Sequence, residues 1–186
     1  MNIAVYCGAS VGNEPIYTEN ARTLGTWIAK NGHQLIYGGG KAGLMGVIAD
    51  TVLENGGNAI GVIPTFLQER ELAHPNLNEL IVVETMSERK NQMIAAADVC
   101  IALPGGPGTL EEISEAISWA RVGQNDSPCI FYDTNDYYLP LQDFFDKMVA
   151  TDFLSINDRK KMLFAHTIPE IERFIASYEP PRIRKY

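Results

Sequence analysis

Short apolar runs alternate along the chain with longer segments in which apolar residues recur every three or four positions. The runs have the length and composition of strands buried on both faces of a parallel sheet. They lie at residues 3–7, 34–37, 58–63, 80–83, 99–103 and 128–132, and an edge strand is expected at 161–165. The recurring segments, typical of helices with one buried stripe, lie at residues 15–31, 43–55, 86–97, 109–120, 137–151 and 169–177. This alternation predicts an α/β fold of three layers, a parallel sheet covered by helices on both faces.

One domain is expected to take up the whole chain, residues 1–186, because nothing in the composition marks a boundary. The hydrophobic share of 46% and the charged share of 20% are those of a globular protein. Residues 179–186 are predicted to form a tail that frays or depends on a partner.

The charge and the cysteines restrict the partners and the compartment. A net charge of −8 argues against a nucleic-acid polymer or a membrane surface as partner, since both favour basic proteins. Cys7, Cys100 and Cys129 fall in apolar runs without paired spacing, which predicts reduced, buried thiols. The first residues do not resemble a signal peptide, and no apolar stretch approaches the roughly 20 residues that cross a bilayer. We therefore expect a cytoplasmic protein.

The segment 99–112 joins an apolar run, a glycine-rich turn and the start of a helix. Pro104 ends the run, and Gly105, Gly106 and Gly108 follow within four residues. Glycines let a backbone come close to a ligand, and the first N–H groups of a helix have no partner within it. Together with the helix dipole, these features predict an anion site, most often for phosphate. Glu111 and Glu112 place two carboxylates at the same helix end, although the dipole alone also favours acidic residues there.

Two further features have both a functional and a structural interpretation. Residues 38–43 match G-x-G-x-x-G, but they follow the second strand, and no acidic residue lies about 20 positions on to hold a ribose. Close backbone packing, or the wall of a mononucleotide pocket, is favoured over a dinucleotide site. Arg89 and Lys90 are either solvent-facing charges or a clamp for an anionic ligand.

The sequence lacks the motifs that several other kinds of enzyme or binding site require. The chain has no G-x-x-x-x-G-K-[ST] phosphate loop, no G-x-S-x-G elbow and no metal-ligand spacing of His and Cys. We therefore expect neither a metal nor a cofactor, and the available chemical groups are carboxylates, arginine and the phosphate-binding turn.

Residues 104–112, P-G-G-P-G-T-L-E-E, match the P-G-G-x-G-T-x-x-E motif of the LONELY GUY (LOG) family. The chain resembles these cytokinin riboside 5′-monophosphate phosphoribohydrolases, which are often mislabelled as lysine decarboxylases, from about residue 2 to residue 155. Further blocks appear in family order at residues 7–10, 37–40, 43–46, 61–64 and 86–90.

The resemblance implies a Rossmann-like fold, and a homodimer whose active site lies near the subunit interface. It also implies hydrolysis of the N-glycosidic bond of a nucleoside 5′-monophosphate to the free base and ribose 5-phosphate. Arg89 and Glu112 take the catalytic positions. The implied substrate contacts are Glu71, Lys90, Gly105, Gly106, Pro107, Gly108, Thr109, Leu110, Glu111 and Ser118. The pocket wall is expected at Gly8, Ser10, Gly39, Gly40 and Met86.

The chain departs from the family pattern at three positions: Ser87 stands where His is frequent, Pro107 where Tyr is common, and Ser118 where Thr is usual. None of these changes removes a catalytic group, but the base preference does not carry over. The role of Glu112 stays open between stabilising positive charge, orienting ribose hydroxyls and activating water.

Two alternative functions stay open as well. The first is a broader purine or AMP nucleosidase, and the second is a carrier or sensor that binds a nucleotide without chemistry. Lysine decarboxylation is the least favoured function, because no lysine stands in a recognisable pyridoxal-phosphate context.

Overall fold

A computed structural model describes residues 1–70 and 72–183 of the chain. Its strands are β1 (Asn2–Tyr6), β2 (Gln34–Tyr37), β3 (Asn58–Pro64), β4 (Glu79–Val83), β5 (Val99–Ala102), β6 (Cys129–Tyr132) and β7 (Met162–Ala165). Its helices are α1 (Pro15–Lys30), α2 (Gly43–Glu54), α3 (Thr65–Gln68), α4 (Met86–Ala96), α5 (Pro107–Arg121), α6 (Leu139–Ala150), α7 (Ile156–Arg159) and α8 (Ile168–Ser177). Each pair of neighbouring strands is parallel, as the alternating pattern predicts.

The strands form one sheet in the order β4-β3-β2-β1-β5-β6-β7. The chain moves outward from β1 as far as β4 and then crosses back to place β5 on the other side of β1. Open α/β sheets bind ligands in the crevice outside the carboxyl ends of the strands at such a reversal. The topology is therefore Rossmann-like, and the segments that follow β1 and β5 lie at the mouth of the crevice.

Two hydrophobic cores lie on opposite faces of the sheet. Successive residues of β1 alternate between them, with Ile3 and Val5 in one core and Ala4 and Tyr6 in the other. Helices α1, α2 and α8 pack on the first face, and α4, α5 and α6 pack on the second. The predicted fold of three layers is confirmed.

Helix α5 differs slightly from the predicted segment. It begins at Pro107 rather than at residue 109, and Gly106 is its N-cap. Proline suits the first position of a helix because its missing N–H would have no partner there. The turn between β5 and α5 is therefore two residues tighter than the apolar stripe indicates. The short helices α3 and α7 have no counterpart among the predicted segments.

Residues 72–78, between α3 and β4, are held against the rest of the fold. The backbone N–H of His74 donates to the Gly39 carbonyl at 2.8 Å, and Gly40 forms an isolated bridge with Ala73. The His74 ring is buried and lies 3.0 Å from an Asp50 carboxylate oxygen. This segment therefore packs against the glycine turn that follows β2.

The remaining expectations concern the thiols, the tail and membrane spans. Cys7, Cys100 and Cys129 are free and buried, as predicted. Residues 179–183 form neither helix nor strand, and the last three tail positions lie outside the described residues. Across the two described ranges, no helix has the length and apolar character that crossing a membrane requires.

Candidate active site

The candidate site is built around the turn that links β5 to α5. The Gly8 N–H, after β1, donates to the Pro104 carbonyl at 3.1 Å and joins the two sides of the crevice. Thr109 is buried, and a Cβ on Gly105 would lie only 2.2 Å from the Thr109 hydroxyl. Glycine at position 105 is therefore a packing requirement of the turn.

The space in front of the turn is open. A Cβ added to Gly106 or Gly108 would meet no atom within 4 Å. The first bond within α5 runs from the Leu110 N–H to the Gly106 carbonyl, so the N–H groups of Gly108 and Thr109 have no partner within the helix. Open space beside free N–H groups at the positive end of a helix suits a phosphate oxygen.

Arg89 and Glu112 form a buried ion pair beneath this turn. Arg89 Nη2 lies 3.2 Å from Glu112 Oε1, and the two side chains are 10% and 9% exposed. Arg89 Nε donates to the Val62 carbonyl at 3.1 Å, which fixes the guanidinium at the end of β3. The structure thus brings together two residues that are 23 positions apart in the sequence and that the family resemblance makes catalytic.

Burial raises the pKa of the Glu112 carboxyl above its ordinary value, and the Arg89 guanidinium opposes that rise. Desolvation is the larger effect because the carboxylate loses its water shell when it is buried. Glu112 therefore binds a proton at a higher pH than an exposed glutamate does. An ionisable group with a perturbed pKa in a crevice is a candidate for catalysis.

The two adjacent carboxylates of α5 point to different surroundings, since neighbouring residues of a helix lie about 100° apart around its axis. Glu111 is exposed and accepts a hydrogen bond of 2.7 Å from Lys90 Nζ. Lys90 Nζ also lies 3.0 Å from a Glu115 oxygen. Hydrogen bonds to Glu111 and Glu115 raise the pKa of Lys90. Arg89 and Lys90 thus form separate ion pairs with different carboxylates, although their side chains are similarly covered, at 10% and 12% exposure.

Helix α4 orients Arg89 through its N-terminal cap. Thr85 accepts the Glu88 N–H at 3.1 Å, while the Glu88 carboxylate accepts the Thr85 N–H at 3.3 Å. This capping box corresponds to the T-x-x-E pattern at residues 85–88 of the sequence. Met86, a predicted wall residue, is partly exposed and lies 3.8 Å from Arg89 Nη1.

A cavity of about 540 Å³ lies beside the turn. Its lining includes Gly8, Ser10, Tyr17, Gly105, Gly106 and Tyr137. Gly8 and Ser10 were expected to form the pocket wall, and they lie in this cavity with two glycines of the turn. Tyr17 and Tyr137 were not identified from the sequence, where tyrosines in helical or loop segments carry no distinguishing pattern.

The other expected site residues lie on α5 or behind the site. Pro107, Leu110 and Ser118 are exposed, and Ser118 follows Glu111 and Glu115 along one helix face. The other two wall positions, Gly39 and Gly40, are buried among β3 and the segment after α3 and do not line the cavity. The remaining expected contact, Glu71, lies outside the described residues.

Gly38 was missed as a site residue. A Cβ at this position would lie 2.0 Å from Arg89 Nη2, so the absence of a side chain makes room for the guanidinium. The glycine run at residues 38–40 was the available signal, and its interpretation as close packing did not identify the partner.

Among the described residues, one cluster has the spacing of metal ligands. Asp133, Asp136 and His166 bring one ligand atom each within 4.8 Å of one another. Asp133 Oδ1 already accepts the Tyr138 N–H at 2.8 Å, and the His166 ring lies 3.2 Å from the Asp133 carbonyl oxygen. Hydrogen bonds within the protein therefore already engage Asp133 and His166 of this cluster.

Comparisons with known proteins agree with the motif. A family model described as possible lysine decarboxylase matches residues 45–174. The probable cytokinin riboside 5′-monophosphate phosphoribohydrolase LOGL1 of Oryza sativa subsp. japonica is 40% identical over 176 residues, which cover 95% of this chain and 79% of that protein. The cytokinin riboside 5′-monophosphate phosphoribohydrolase LOG4 of Arabidopsis thaliana is 40% identical over 178 residues, which cover 96% of this chain and 83% of that protein.

A solved structure shows the same fold at lower sequence identity. The molybdenum cofactor binding protein of Rippkaea orientalis superposes with a TM-score of 0.71 at 23% identity, and the match covers 95% of each chain. This similarity supports the architecture alone, because one fold hosts many functions.

Proposed function

The chain belongs to the LOG family of cytokinin riboside 5′-monophosphate phosphoribohydrolases, and from this premise we propose how its site hydrolyses an N6-substituted adenosine 5′-monophosphate. The bond that breaks is the N-glycosidic bond, and the products are the free base and ribose 5-phosphate. The observation that carries the proposal is the buried contact of 3.2 Å between Arg89 and Glu112 next to an open glycine turn.

The turn at residues 105–109 anchors the 5′-phosphate. Its support is the open space at Gly106 and Gly108, together with the helix N–H groups that have no partner in α5. The overall charge of −8 would repel a phosphate, so attraction must come from local positive groups. The N–H groups at the positive end of α5 supply this attraction, because Arg89 and Lys90 are already paired with carboxylates. Binding energy from this anchor then holds the glycosidic bond in register with the reacting groups.

Glu112 stabilises the charge that develops on the sugar. Cleavage of a glycosidic bond passes through an oxocarbenium-like state with positive charge on the ribose ring. A buried carboxylate interacts with that charge more strongly than an exposed one does, because little water screens the interaction. The burial of Glu112 therefore supports this role.

Arg89 keeps Glu112 ionised and positioned. Its guanidinium stays protonated at any working pH, so it is unsuited to donate a proton to the leaving base. It opposes the rise in the Glu112 pKa that burial causes. The Val62 carbonyl and the room beside Gly38 hold the guanidinium in place. Arg89 thus acts through electrostatics and position.

We further propose a homodimer in the cytoplasm. A groove of about 380 Å³ beside the turn, lined by Pro107, Leu110, Tyr137 and Leu141 among others, offers an apolar surface for a second subunit near the site. Three buried free thiols support a reducing compartment. Light scattering on the purified protein tests the dimer: twice the 20.6 kDa chain mass supports it, and the chain mass alone contradicts it.

A substrate panel tests the proposed reaction and ranks the bases. The protein is incubated with AMP and with isopentenyladenosine 5′-monophosphate, and the free base is measured by chromatography. A clear preference for the isopentenyl substrate supports a cytokinin-forming enzyme, and equal rates favour a broader AMP nucleosidase. Binding of AMP without release of any base would instead favour a carrier.

A further inference from the structure

Two consecutive tyrosines after β6 bind carbonyl groups of the segment between β5 and α5. The Tyr138 hydroxyl donates to the Leu103 carbonyl at 2.7 Å, and the Tyr137 hydroxyl donates to the Gly105 carbonyl. The carbonyl between them, that of Pro104, accepts the Gly8 N–H. Three successive carbonyls at residues 103–105 therefore each have a partner that fixes their direction.

The direction of a carbonyl also fixes the N–H of the following residue. The two groups share one planar trans peptide unit and point in opposite directions. Because Tyr137 holds the Gly105 carbonyl, the Gly106 N–H is turned away from the tyrosine hydroxyl. Gly106 is the N-cap of α5, and the space that its own Cβ would occupy is open. The Gly106 N–H is thus oriented before any ligand arrives.

Tyr137 is itself held by aromatic contacts and by its loop. Its ring packs edge-on against Tyr17 of α1 with centroids 6.1 Å apart, and edge-on against Tyr138 at 5.0 Å. Asn135 and Asp136, just before it, have φ values of 55° and 56°, in the left-handed region that asparagine and aspartate tolerate. A hydroxyl on a side chain fixed in this way can define the orientation of a glycine peptide that would otherwise rotate easily.

We propose that Tyr137 is a positioning residue that presets the Gly106 N–H for the substrate phosphate. The proposal rests on the proposed function, since it takes the turn at residues 105–109 as the phosphate anchor. The Tyr137 ring also lines the cavity, and it is the hydroxyl, bound to the Gly105 carbonyl, that acts on the phosphate anchor. Its effect therefore falls on ligands that carry a phosphate group and leaves the unphosphorylated nucleoside unaffected.

Tyr138 provides a matched control. Its hydroxyl holds the Leu103 carbonyl, and the nitrogen of that peptide unit belongs to Pro104, which has no N–H to orient. Both Tyr137→Phe and Tyr138→Phe remove one hydroxyl and keep the ring. Both leave one carbonyl of the same segment without its tyrosine partner, but only Tyr137→Phe frees a peptide that carries an N–H group, that of Gly106 in the proposed anchor.

The test measures binding of ribose 5-phosphate and of adenosine by calorimetry, and steady-state kinetics with AMP or its isopentenyl derivative. We expect Tyr137→Phe to weaken the binding of ribose 5-phosphate about fivefold. KM should rise by a similar factor, with kcat little changed. Adenosine binding should stay the same. Tyr138→Phe should lower the melting temperature without weakening the binding of ribose 5-phosphate.

Three results would overturn the proposal. The first is that folded Tyr137→Phe binds ribose 5-phosphate as tightly as the wild type does, and the second is that both variants lose the same amount of affinity for it. The third is that Tyr137→Phe loses affinity for adenosine and for ribose 5-phosphate to the same extent. Wild-type protein that binds no ribose 5-phosphate would also overturn it. If the wild-type protein binds ribose 5-phosphate but releases no base, only the proposed reaction is contradicted. The role of Tyr137 is judged from the binding of ribose 5-phosphate, which does not require the reaction.

Discussion

Arg89 Nη2 and Glu112 Oε1 lie 3.2 Å apart, and each side chain is about nine-tenths buried. A buried ion pair is a weak source of stability, because the cost of removing two charges from water offsets most of their attraction. Arg89 of this pair contacts the Val62 carbonyl of β3 and lies beside Gly38, and Glu112 belongs to the helix that follows the open glycine turn. Its position therefore favours a role in the reaction over a role in the fold.

Replacement of Glu112 by glutamine tests the charge directly. We expect Glu112→Gln to lower kcat by about a hundredfold to a thousandfold, since the side chain keeps its size but loses the negative charge opposite the developing cation. Glu115→Gln is the matched comparison one helical turn on, where the carboxylate contacts Lys90 rather than Arg89. It should change kcat far less. Steady-state kinetics give the rates, and circular dichroism verifies that both variants fold.

The pH dependence of kcat/KM should reflect the raised pKa of Glu112. In the proposed mechanism the ionised carboxylate is the active form, and burial raises its pKa, so activity should fall on acidification at a pH above the ordinary glutamate range. Arg89→Gln removes the cation that opposes this rise, so its acid limb should move to still higher pH. The phosphate group of the substrate titrates identically with the wild type and with Arg89→Gln. A difference between the two pH profiles therefore comes from the protein. An acid limb that moves to lower pH, or stays in place, contradicts the assignment.

The room beside Gly38 provides a test that leaves both charged residues intact. In Gly38→Ala, the new Cβ would lie 2.0 Å from Arg89 Nη2 and must displace the guanidinium. We expect kcat/KM to fall about a hundredfold, the usual cost of misplacing a reacting group by about an ångström. Gly57→Ala is the control, because its Cβ would meet Ala29 and Val52 at 2.8 Å, away from the site. Gly57→Ala should have a lower melting temperature but unchanged kinetic constants. An equal fall in kcat/KM in Gly38→Ala and Gly57→Ala would argue against a specific role for Gly38.

Replacement of Gly106 should affect substrate binding without lowering the stability of the fold. A Cβ at Gly106 meets no atom within 4 Å, and its backbone angles, φ −87° and ψ −162°, suit any residue. Gly106→Ala should therefore fold at least as stably as the wild type, since alanine restricts the unfolded chain. Its methyl group would occupy the space assigned to the phosphate, so we expect KM for monophosphates to rise about tenfold. Thermal melting and kinetics on the same preparation check both parts, and an unchanged KM would place the phosphate elsewhere.

Most of the architecture could be predicted from the sequence because its elements are strongly periodic. The apolar runs predict the seven strands that the described residues contain, and the glycine-rich segment after β5 predicts the turn before α5. The start of α5 was placed two residues late because the apolar stripe begins after Pro107. The short helices α3 and α7 were missed because four residues are too few to show a period.

The site residues that depend on long-range contacts could not be assigned in the same way. The sequence shows Arg89 next to Lys90 and Glu111 next to Glu112, but not which cation pairs with which carboxylate. That choice follows from how α4 and α5 lie on one face of the sheet, where Arg89 meets the buried Glu112 and Lys90 meets the exposed Glu111. The contacts of Gly38 with Arg89 and of Tyr137 with Gly105 also join distant segments, so no local pattern reveals them.

Cleavage of isopentenyladenosine 5′-monophosphate, compared with its nucleoside, tests the central claim most directly. The wild-type protein should release free base and ribose 5-phosphate in equal amounts from the monophosphate, with little release from the nucleoside, and Glu112→Gln should release almost none. Equal cleavage of the nucleoside would contradict the phosphate anchor at residues 105–109. Release by Glu112→Gln at the wild-type rate would contradict the role of the Arg89–Glu112 pair.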